Sequence, residues 1–568
     1  MNKFFLFLFI FFQFYSFGQD LSIRWLDQNN NLPFDIKNQI LEKATDSSQI
    51  EIITKILHQN GYLEAFCEFN ATTNQIEINN GGLYSWGNLN LGNIRSEVGN
   101  KLNYASKQFY GKSVSKDFIT NWHEKFLNYY ENNGYPFAVV KMDTIKIEDY
   151  QISGNWNVNL NKKVTLDSIN IISDEPLPLV FISYYSGLKK NMPYSERIIK
   201  QAPTRLKEIP FLVSIKAPSV IFTDQKTTVN LFLKKQKASS FNGVAGFLPN
   251  ENTGEILITG DAKLALQNAL GSGEIIKLNW RKLQTNTQDL NAFINYPYLF
   301  NSPVGSEFDL RLYRRDTTFA EQNLKLGLQY AIKQGNFFKV FVENYSSNII
   351  STALFEDFTT LPPIVDVRKR NYGIGLSSFK LNYKYNPRSG FAFNVSASGG
   401  TREILENINL NPLIYDSLDL KTNQFSFAFD GEYYWPIFKR STIKFGNQSK
   451  WLLNNQLFAN ELLRIGGLNT LRGFDEESIQ TSGYTIFTTE YRILLEENSF
   501  FYVFTDVGFW ERNLRNSYDS DLPIGFGTGI SFQTKAGIFT VNYALGKQRN
   551  NPLDLRVAKI HFGFLSLF

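Results

Sequence analysis

The sequence is poor in the residues that build disulfides, metal sites and membrane helices. It contains one cysteine, Cys67, and three histidines in 568 residues. No disulfide can form within the chain, and a tetrahedral zinc site would need all four of these side chains to converge. After the N-terminus no uncharged apolar run reaches eighteen residues, which is too little for a membrane-spanning helix. We therefore expect neither a metal nor a cofactor.

The charge balance is also unremarkable, while aromatic residues are abundant. The 58 Lys and Arg residues are offset by 53 Asp and Glu, so the chain lacks the basic excess that indicates a nucleic-acid partner. Aromatic residues make up 15% of the chain, with 51 Phe and 28 Tyr. Such a chain can bury enough apolar surface to offset the entropy of ordering, which excludes intrinsic disorder.

The first eighteen residues have the pattern of a signal peptide. Lys3 precedes an apolar run from Phe4 to about Phe12, and the small residues Ser16 and Gly18 follow. The alternative, a membrane-spanning helix, needs about twenty apolar residues, and polar residues interrupt this run. We expect export with cleavage after Gly18, giving a signal peptide over 1–18.

The next 220 residues or so repeat one soluble α+β plan. Helical periodicity is followed by "NGY" and then a strand twice, with the motif at 60–62 and again at 133–135. A third unit keeps the helix and the strand without the glycine. On periodicity these are βααββ modules in series, over 19–80, 81–160 and 161–238.

From residue 239 to residue 568 the sequence alternates with period two. In "FSFAFDGEYYW" the aromatic residues Phe425, Phe427 and Phe429 alternate with Ser426, Ala428 and Asp430. A soluble sandwich would alternate in the same way. Export and the aromatic content favour a transmembrane antiparallel β-barrel of about sixteen strands.

Several C-terminal motifs resemble those of one family. The segment "LRGF" is similar to the [VL]RG[FY] signature of the BamA and TamA outer-membrane assembly superfamily, also called the bacterial surface antigen family. "FTDVG" resembles its FxDxG strand motif, "GFGTG" its glycine-rich strand, and the last strand an outer-membrane β-signal. The modules resemble POTRA (polypeptide-transport-associated) domains. The motif residues are Leu471, Arg472, Gly473 and Phe474; Phe504, Asp506 and Gly508; Gly525, Gly527 and Gly529; and His561, Gly563 and Phe568.

The loop arginine should find its partner on the wall of the barrel. Arg472 keeps its charge, and a guanidinium folded into the lumen needs a carboxylate, because an unpaired buried charge is costly. Strand parity puts Asp506 on a lumen-facing position, together with Phe504 and Gly508, if Val503 and Val507 face lipid. On the preceding strand it puts Glu490 in the lumen if Phe487, Tyr491 and Ile493 face lipid. We predict Asp506 as the first partner of Arg472 and Glu490 as the second.

The resemblance implies a protein that inserts or exports client proteins at the outer membrane. Its modules would take up client strands by edge addition in the periplasm, and the barrel would open between its first strand, near 241–248, and its last, 557–568. The alternative is a conduit, either a two-partner secretion transporter or a passive porin-like channel. Expected partners are unfolded outer-membrane or secreted proteins and outer-membrane lipids, with a TamB-like protein or an accessory lipoprotein as further candidates. No catalytic triad or carboxylate pair stands out, so we expect no enzyme.

The mature protein should fractionate with outer membranes and migrate differently in detergent gels before and after boiling. A closed barrel keeps its hydrogen-bond ladder in detergent until it is heated. Membrane fractionation followed by electrophoresis of boiled and unboiled samples tests this. Recovery as a soluble periplasmic protein would end the barrel hypothesis.

Overall fold

The chain forms two compact units in this computed structural model, Met1–Thr165 with Pro193–Glu196, and Leu166–Met192 with Arg197–Phe568. The signal-peptide prediction and the terminal Phe568 lie outside the described residues. Among the described helices, none has the length and hydropathy to cross a membrane. The structure describes residues 22–27, 32–43, 49–249, 256–284, 287–333, 335–352, 362–383, 386–534, 537–549, 556 and 558–567.

Three consecutive modules share the order strand, helix, helix, strand, strand. In each three-stranded sheet the last strand lies in the middle, parallel to the first and antiparallel to the second. The elements are β1 (Ser22–Trp25), α1 (Phe34–Lys43), α2 (Ile50–Gln59), β2 (Phe66–Asn70) and β3 (Gln75–Asn79); β4 (Ser85–Asn90), α3 (Ser96–Lys101), α4 (Lys116–Glu131), β5 (Val139–Glu148) and β6 (Gln151–Asn159); and β7 (Ser168–Ile172), α5 (Leu179–Ser186), α6 (Glu196–Leu206), β8 (Leu212–Phe222) and β9 (Thr227–Lys235).

The repeated "NGY" marks the stop after the second helix of the first two modules. Gly61 follows α2 with a φ of +97°, and Gly134 follows α4 with a φ of +96°, a conformation that glycine adopts readily and other residues do not. In the third module, Ile209, Pro210 and Phe211 occupy the corresponding place after α6.

The predicted βααββ modules and the predicted barrel are both confirmed as fold, while the module boundaries remain a prediction. The barrel is closed. Its wall strands are β10 (Ser240–Pro249), β11 (Ile256–Gln267), β12 (Ile275–Gln284), β13 (Thr287–Tyr296), β14 (Val304–Arg315), β15 (Phe319–Lys333), β16 (Asn336–Ile349), β17 (Asp366–Leu381), β18 (Gly390–Leu405), β19 (Lys421–Phe438), β20 (Ser441–Leu453), β23 (Gly483–Leu494), β24 (Phe500–Leu514), β25 (Ser517–Asp521), β26 (Ile524–Gln533), β27 (Ile538–Lys547) and β28 (Lys559–Leu567).

The wall has sixteen strands when β25 and β26 are taken as one strand. Both pair with β24, β25 with its end and β26 with its beginning, and Leu522 and Pro523 interrupt them. Proline cannot donate to the ladder, which explains the break. Two short strands, β21 (Leu463–Ile465) and β22 (Ile479–Thr481), pair with each other in a separate sheet.

Alternation along the strands separates an apolar outer face from the lumen. On β24, Val503 and Val507 are exposed while Tyr502, Phe504 and Asp506 are buried. This is the parity that the sequence predicts, because successive side chains of a strand point to opposite faces.

One join in the wall is much shorter than the others. Strand β10 is aligned with β11 from Ser240 to Pro249. On its other side, it is aligned with β28 only where Ser240 faces Leu567 and Phe241 faces Ser566. We call this join the seam; within the described residues, its backbone pairing is confined to the end where β10 begins.

The third module packs on the barrel turns through aromatic side chains. The ring of Phe181 on α5 meets Tyr298 edge to face at 5.7 Å, and Tyr184 stacks on Tyr298 at 5.0 Å. A side chain at Gly273, in the turn before β12, would place its Cβ 2.2 Å from the ring of Phe181. The turn and the helix therefore fit closely.

A half-buried carboxyl lies beside this contact. Tyr185 on α5 donates a hydrogen bond of 2.9 Å to Glu208. Burial raises the pKa of Glu208 to about 7, against the opposing effects of the Tyr185 hydroxyl, Arg205 and Lys380. Because the pKa in the folded protein lies above the ordinary value, the protonated form is favoured by folding, and this contribution is lost as the pH rises through about 7.

Glu208→Gln should remove that loss, because glutamine stays neutral at every pH. The third module of the wild-type protein should become easier to melt between pH 5.5 and pH 8.5, and the variant should show a flatter profile. Limited proteolysis at rising temperature would measure the midpoint of melting of the third module at each pH. Asp174→Asn, at an exposed carboxylate of the same module, is the control, and parallel profiles for wild type and Glu208→Gln would contradict the assignment.

Candidate functional site

The "LRGF" motif lies at the tip of a loop that connects β20 to β23. The loop carries the β21–β22 hairpin, and its tip packs against the inner faces of the wall strands. Leu471 is fully buried and Phe474 nearly so. They belong to an apolar cluster with Ile465, Ile479, Tyr484, Ile486 and Trp510. This cluster holds the loop on β23 and β24.

Arg472 binds both carboxylates that strand parity predicts. Its Nε and Nη2 donate to the two oxygens of Asp506 at 2.7 Å each, in the bidentate geometry that guanidinium and carboxylate favour. Its Nη1 donates to Glu490 at 3.0 Å. The backbone N–H of Arg472 also donates to Asp506, at 3.2 Å. The motif is thus fixed by its side chain and its backbone together.

The pair is shielded from solvent and extended by further groups. Arg472 is 8% exposed and Asp506 is 0% exposed, and the guanidinium carbon lies 3.5 Å from the centre of the Phe504 ring. The Thr488 hydroxyl donates to Asp506 at 2.9 Å, and Arg492 donates to Glu490 at 2.7 Å. Two arginines therefore balance two carboxylates. Removal of either partner would leave a buried charge unpaired, which is strongly destabilising.

The glycine-rich strand gives the loop room. A Cβ at Gly525 would lie 2.0 Å from the carbonyl oxygen of Arg472. Gly546 on β27, which the sequence motifs did not include, has the same role, since a Cβ there would lie 2.5 Å from the carbonyl oxygen of Gly473. Backbone can approach backbone this closely only where side chains are missing.

The other predicted glycines accommodate side chains of the wall. A Cβ at Gly527 would lie 2.9 Å from the Phe504 ring, and one at Gly529 would lie 2.4 Å from both Tyr502 and Asn542. The structure therefore brings Gly525 to the loop, and it places Gly527 and Gly529 beneath the aromatic side chains of β24. Gly508 lies against Pro523 and Ile486 rather than Arg472.

The predicted β-signal contributes two described residues. His561 lies on the lumen side of β28, since its neighbours Ile560 and Phe562 are exposed on the outer face. A Cβ at Gly563 would lie 4.0 Å from the side chain of Leu468 in the loop. Phe568 lies outside the described residues.

Sequence reasoning missed a second buried network that holds the base of the loop. Glu461 accepts from Arg402 at 2.8 and 2.7 Å and pairs with Lys369 at 2.9 Å. Arg402 is 0% exposed. Further along, Arg464 pairs with Glu321 at 2.7 Å. Parity could have assigned Arg402 and Lys369 to the lumen, but no motif marks Glu461 as their partner.

A packed apolar cluster lies at the end of the lumen where β16 ends and β17 begins. Its members come from wall strands and from connections between them, namely Tyr313, Phe319, Ile364, Val365, Val367, Ile404, Leu410, Ile414, Tyr415 and Phe458. Within the described part of the chain, no group of three or more His, Cys, Asp or Glu residues has the arrangement of a metal site. The site is thus built from paired charges and packed loops.

Residues 368–564 match the family model described as Omp85 superfamily domain. This segment contains the Arg472 site, and the match confirms the family resemblance of the barrel motifs and the outer-membrane location. A periplasmic position of the modules is consistent with that location. No curated protein matches the chain.

Two solved structures of CdiB share the fold at low sequence identity. CdiB from Escherichia coli is 12% identical, with 94% of this chain and 99% of that chain covered and a TM-score of 0.55. CdiB from Acinetobacter baumannii is 14% identical, with 86% and 90% covered and a TM-score of 0.52. BamA from Haemophilus ducreyi lacking POTRA domains 1-3 is 16% identical, with 85% and 100% covered and a TM-score of 0.43.

Arg472→Ala should cost about 3–5 kcal/mol of stability, because it strands Asp506 in a buried position. Asp506→Ala should have a similar effect, and the double variant should be no worse than either single one, since both disable one interaction. The temperature at which the folded gel band is lost measures the stability of each of the three variants. Arg512→Ala is the control. Arg512 lies on β24, as Asp506 does, but its ion pair with Asp519 is solvent-exposed, so the substitution should cost less than about 1 kcal/mol of stability. Strictly additive losses would contradict the pairing.

Proposed function

We propose that this chain, a member of the Omp85 superfamily with an outer-membrane barrel, inserts client proteins into the outer membrane through its seam. The observation that carries the proposal is the backbone pairing of β10 with β28 at only Ser240 and Phe241. Beyond those two positions the facing edges have no ladder with each other in the described residues, so they can accept a client strand at small cost in hydrogen bonds.

The loop supports insertion over conduction. A passive channel or a secretion conduit needs a lumen that is free for its cargo. Here the loop is held in the lumen by two buried charge networks, centred on Arg472 and on Glu461. The apolar cluster that contains Val365 and Val367 packs at the end of the lumen where β16 ends and β17 begins. We infer a role that is mechanical and not enzymatic.

The second module offers an edge for client capture. Strand β5 pairs with β6 on one side and forms the edge of its sheet. Val139, Ile145 and Ile147 on this strand are each more than half exposed. An exposed edge with apolar side chains is suited to strand addition. We propose unfolded outer-membrane proteins as the clients; a TamB-like or lipoprotein partner remains a prediction from the family resemblance.

A disulfide across the seam should abolish insertion. Phe241→Cys and Ser566→Cys, in a Cys67→Ser background, place cysteines at facing positions of antiparallel strands, where a disulfide can form. Proteoliposomes with the oxidised protein should fail to fold a urea-unfolded outer-membrane barrel, and reduction should restore activity. Folding is measured by the heat-modifiable gel shift of the client.

The matched control locks a join that should not open. Phe425→Cys and Leu453→Cys face each other on β19 and β20, on the outer surface. This disulfide should leave insertion unchanged. Full activity of the seam-locked protein would overturn the proposal and would favour the conduit, whose cargo passes through the lumen.

A further inference from the structure

Three consecutive acidic residues directly after the "LRGF" motif connect the loop to both sides of the seam. Asp475 pairs with Lys559 on β28, with 2.7 Å between the charged atoms. Glu476 and Glu477 both accept from Arg281 on β12, Glu476 at 3.4 Å. We call Asp475–Glu477 the acidic strap. It spans from the last strand, past β10 and β11, to the third strand of the barrel.

The strap crosses the seam at the level where the backbone pairing is missing. Arg281 is aligned with Asp261 on β11, and Asp261 is aligned with Val244 on β10. Val244 lies three residues beyond Phe241, the last position of β10 that is paired with β28. On the other side, Lys559 lies seven residues before Ser566. Both anchors are therefore beyond the two paired positions.

We propose that the acidic strap is an electrostatic closure that holds the unpaired part of the seam together, and that it must release an anchor for the seam to open. The closure regulates the seam described under Proposed function and rests on that proposal for its biological purpose. Its physical content, that the strap limits separation of β10 from β28, stands independently.

The two anchors differ in strength, which suggests the order of release. The Arg281 side chain is 20% exposed, and it also pairs with Asp289 at 3.3 Å. By contrast, the Asp475 side chain is 70% exposed and that of Lys559 is 35% exposed. Exposed pairs are weak and screened by salt. The Lys559 anchor should therefore release first, while the strap stays on Arg281.

The backbone conformation at Glu477 directs the side chain of this residue toward Arg281. Glu477 has a φ of +54°, a left-handed conformation that costs energy for a residue with a side chain. This residue is followed by the hairpin strand β22, so the turn at Glu477 directs its carboxylate to Arg281 while the chain returns to the wall. Such a conformation persists where surrounding contacts hold it.

The distance between spin labels on either side of the seam tests the closure. In the full chain with Cys67→Ser, labels at Trp280→Cys on β12 and Ile560→Cys on β28 lie on the exposed outer face. We expect one narrow distribution in lipid nanodiscs. Combined Glu476→Gln and Glu477→Gln should add a population longer by about 5 Å or more, the width of one strand. Lys559→Gln, a milder change, should produce a smaller fraction of the same population.

Two controls separate the closure from general loosening. Glu321→Gln breaks the ion pair between Glu321 on β15 and Arg464 on β21, away from the seam. This variant should leave the distance distribution narrow. Labels at Tyr372→Cys and Phe427→Cys, on the fully paired β17 and β19, should not move when the strap is cut. An unchanged seam distance in the Glu476→Gln and Glu477→Gln protein, or equal broadening at both label pairs, would overturn the closure. Because this readout needs no client, a failure of the insertion assay leaves it interpretable.

Discussion

A buried guanidinium requires a carboxylate partner, and that requirement fixes the interior of this barrel. Arg472 reaches Asp506 and Glu490 only if the loop lies inside the lumen with its backbone against the wall. The wall strands accordingly carry Gly525 and Gly546 where the loop backbone passes. Bulk at either glycine would push the loop away and separate Arg472 from Asp506, while Glu490 would keep only Arg492 as its partner. The "LRGF" loop motif, the "FTDVG" strand motif and the glycine-rich strand thus all contribute to one interaction, the pairing of Arg472 with Asp506.

Charge pairs inside the lumen form a gradient from buried to exposed. Arg402 and Glu461 at the base of the loop are fully buried, and Arg472 and Asp506 at its tip are nearly so. The Lys559 pair beyond the tip is largely solvated. Because burial sets the cost of breaking a pair, the loop stays attached to the β18 and β24 side of the wall under conditions in which the contact to β28 is already labile.

Local periodicity predicted which side chains of a strand face the lumen, because that depends only on neighbouring residues. It could not predict which distant residues meet when the barrel closes. Parity along β24 places Asp506 in the lumen from a window of a few residues. The partner of Glu477, Arg281, is 196 residues away in sequence, and their meeting depends on strand number and register around the whole wall. The family resemblance pointed to the join between β10 and β28, but the small number of paired residues there was equally hidden, because no local pattern encodes it. The sequence anticipated that Arg472 needs a carboxylate, and the roles of Glu461 and Gly546 emerged only from the packed loop.

The incomplete seam has an energetic consequence in a membrane. Backbone groups that face lipid without a partner cost several kcal/mol each, so strand edges are stable only when paired. Along β10 after Phe241, one edge has β11 and the other has no ladder with β28 in the described residues. A strand that paired with this edge would satisfy those groups, which is the physical basis of the proposed insertion. A barrel with such an edge needs a restraint that is strong enough to keep the edges together at rest and weak enough to yield to a strand. Solvated ion pairs of lumen-facing side chains have that intermediate strength, whereas a completed backbone ladder would exclude the client.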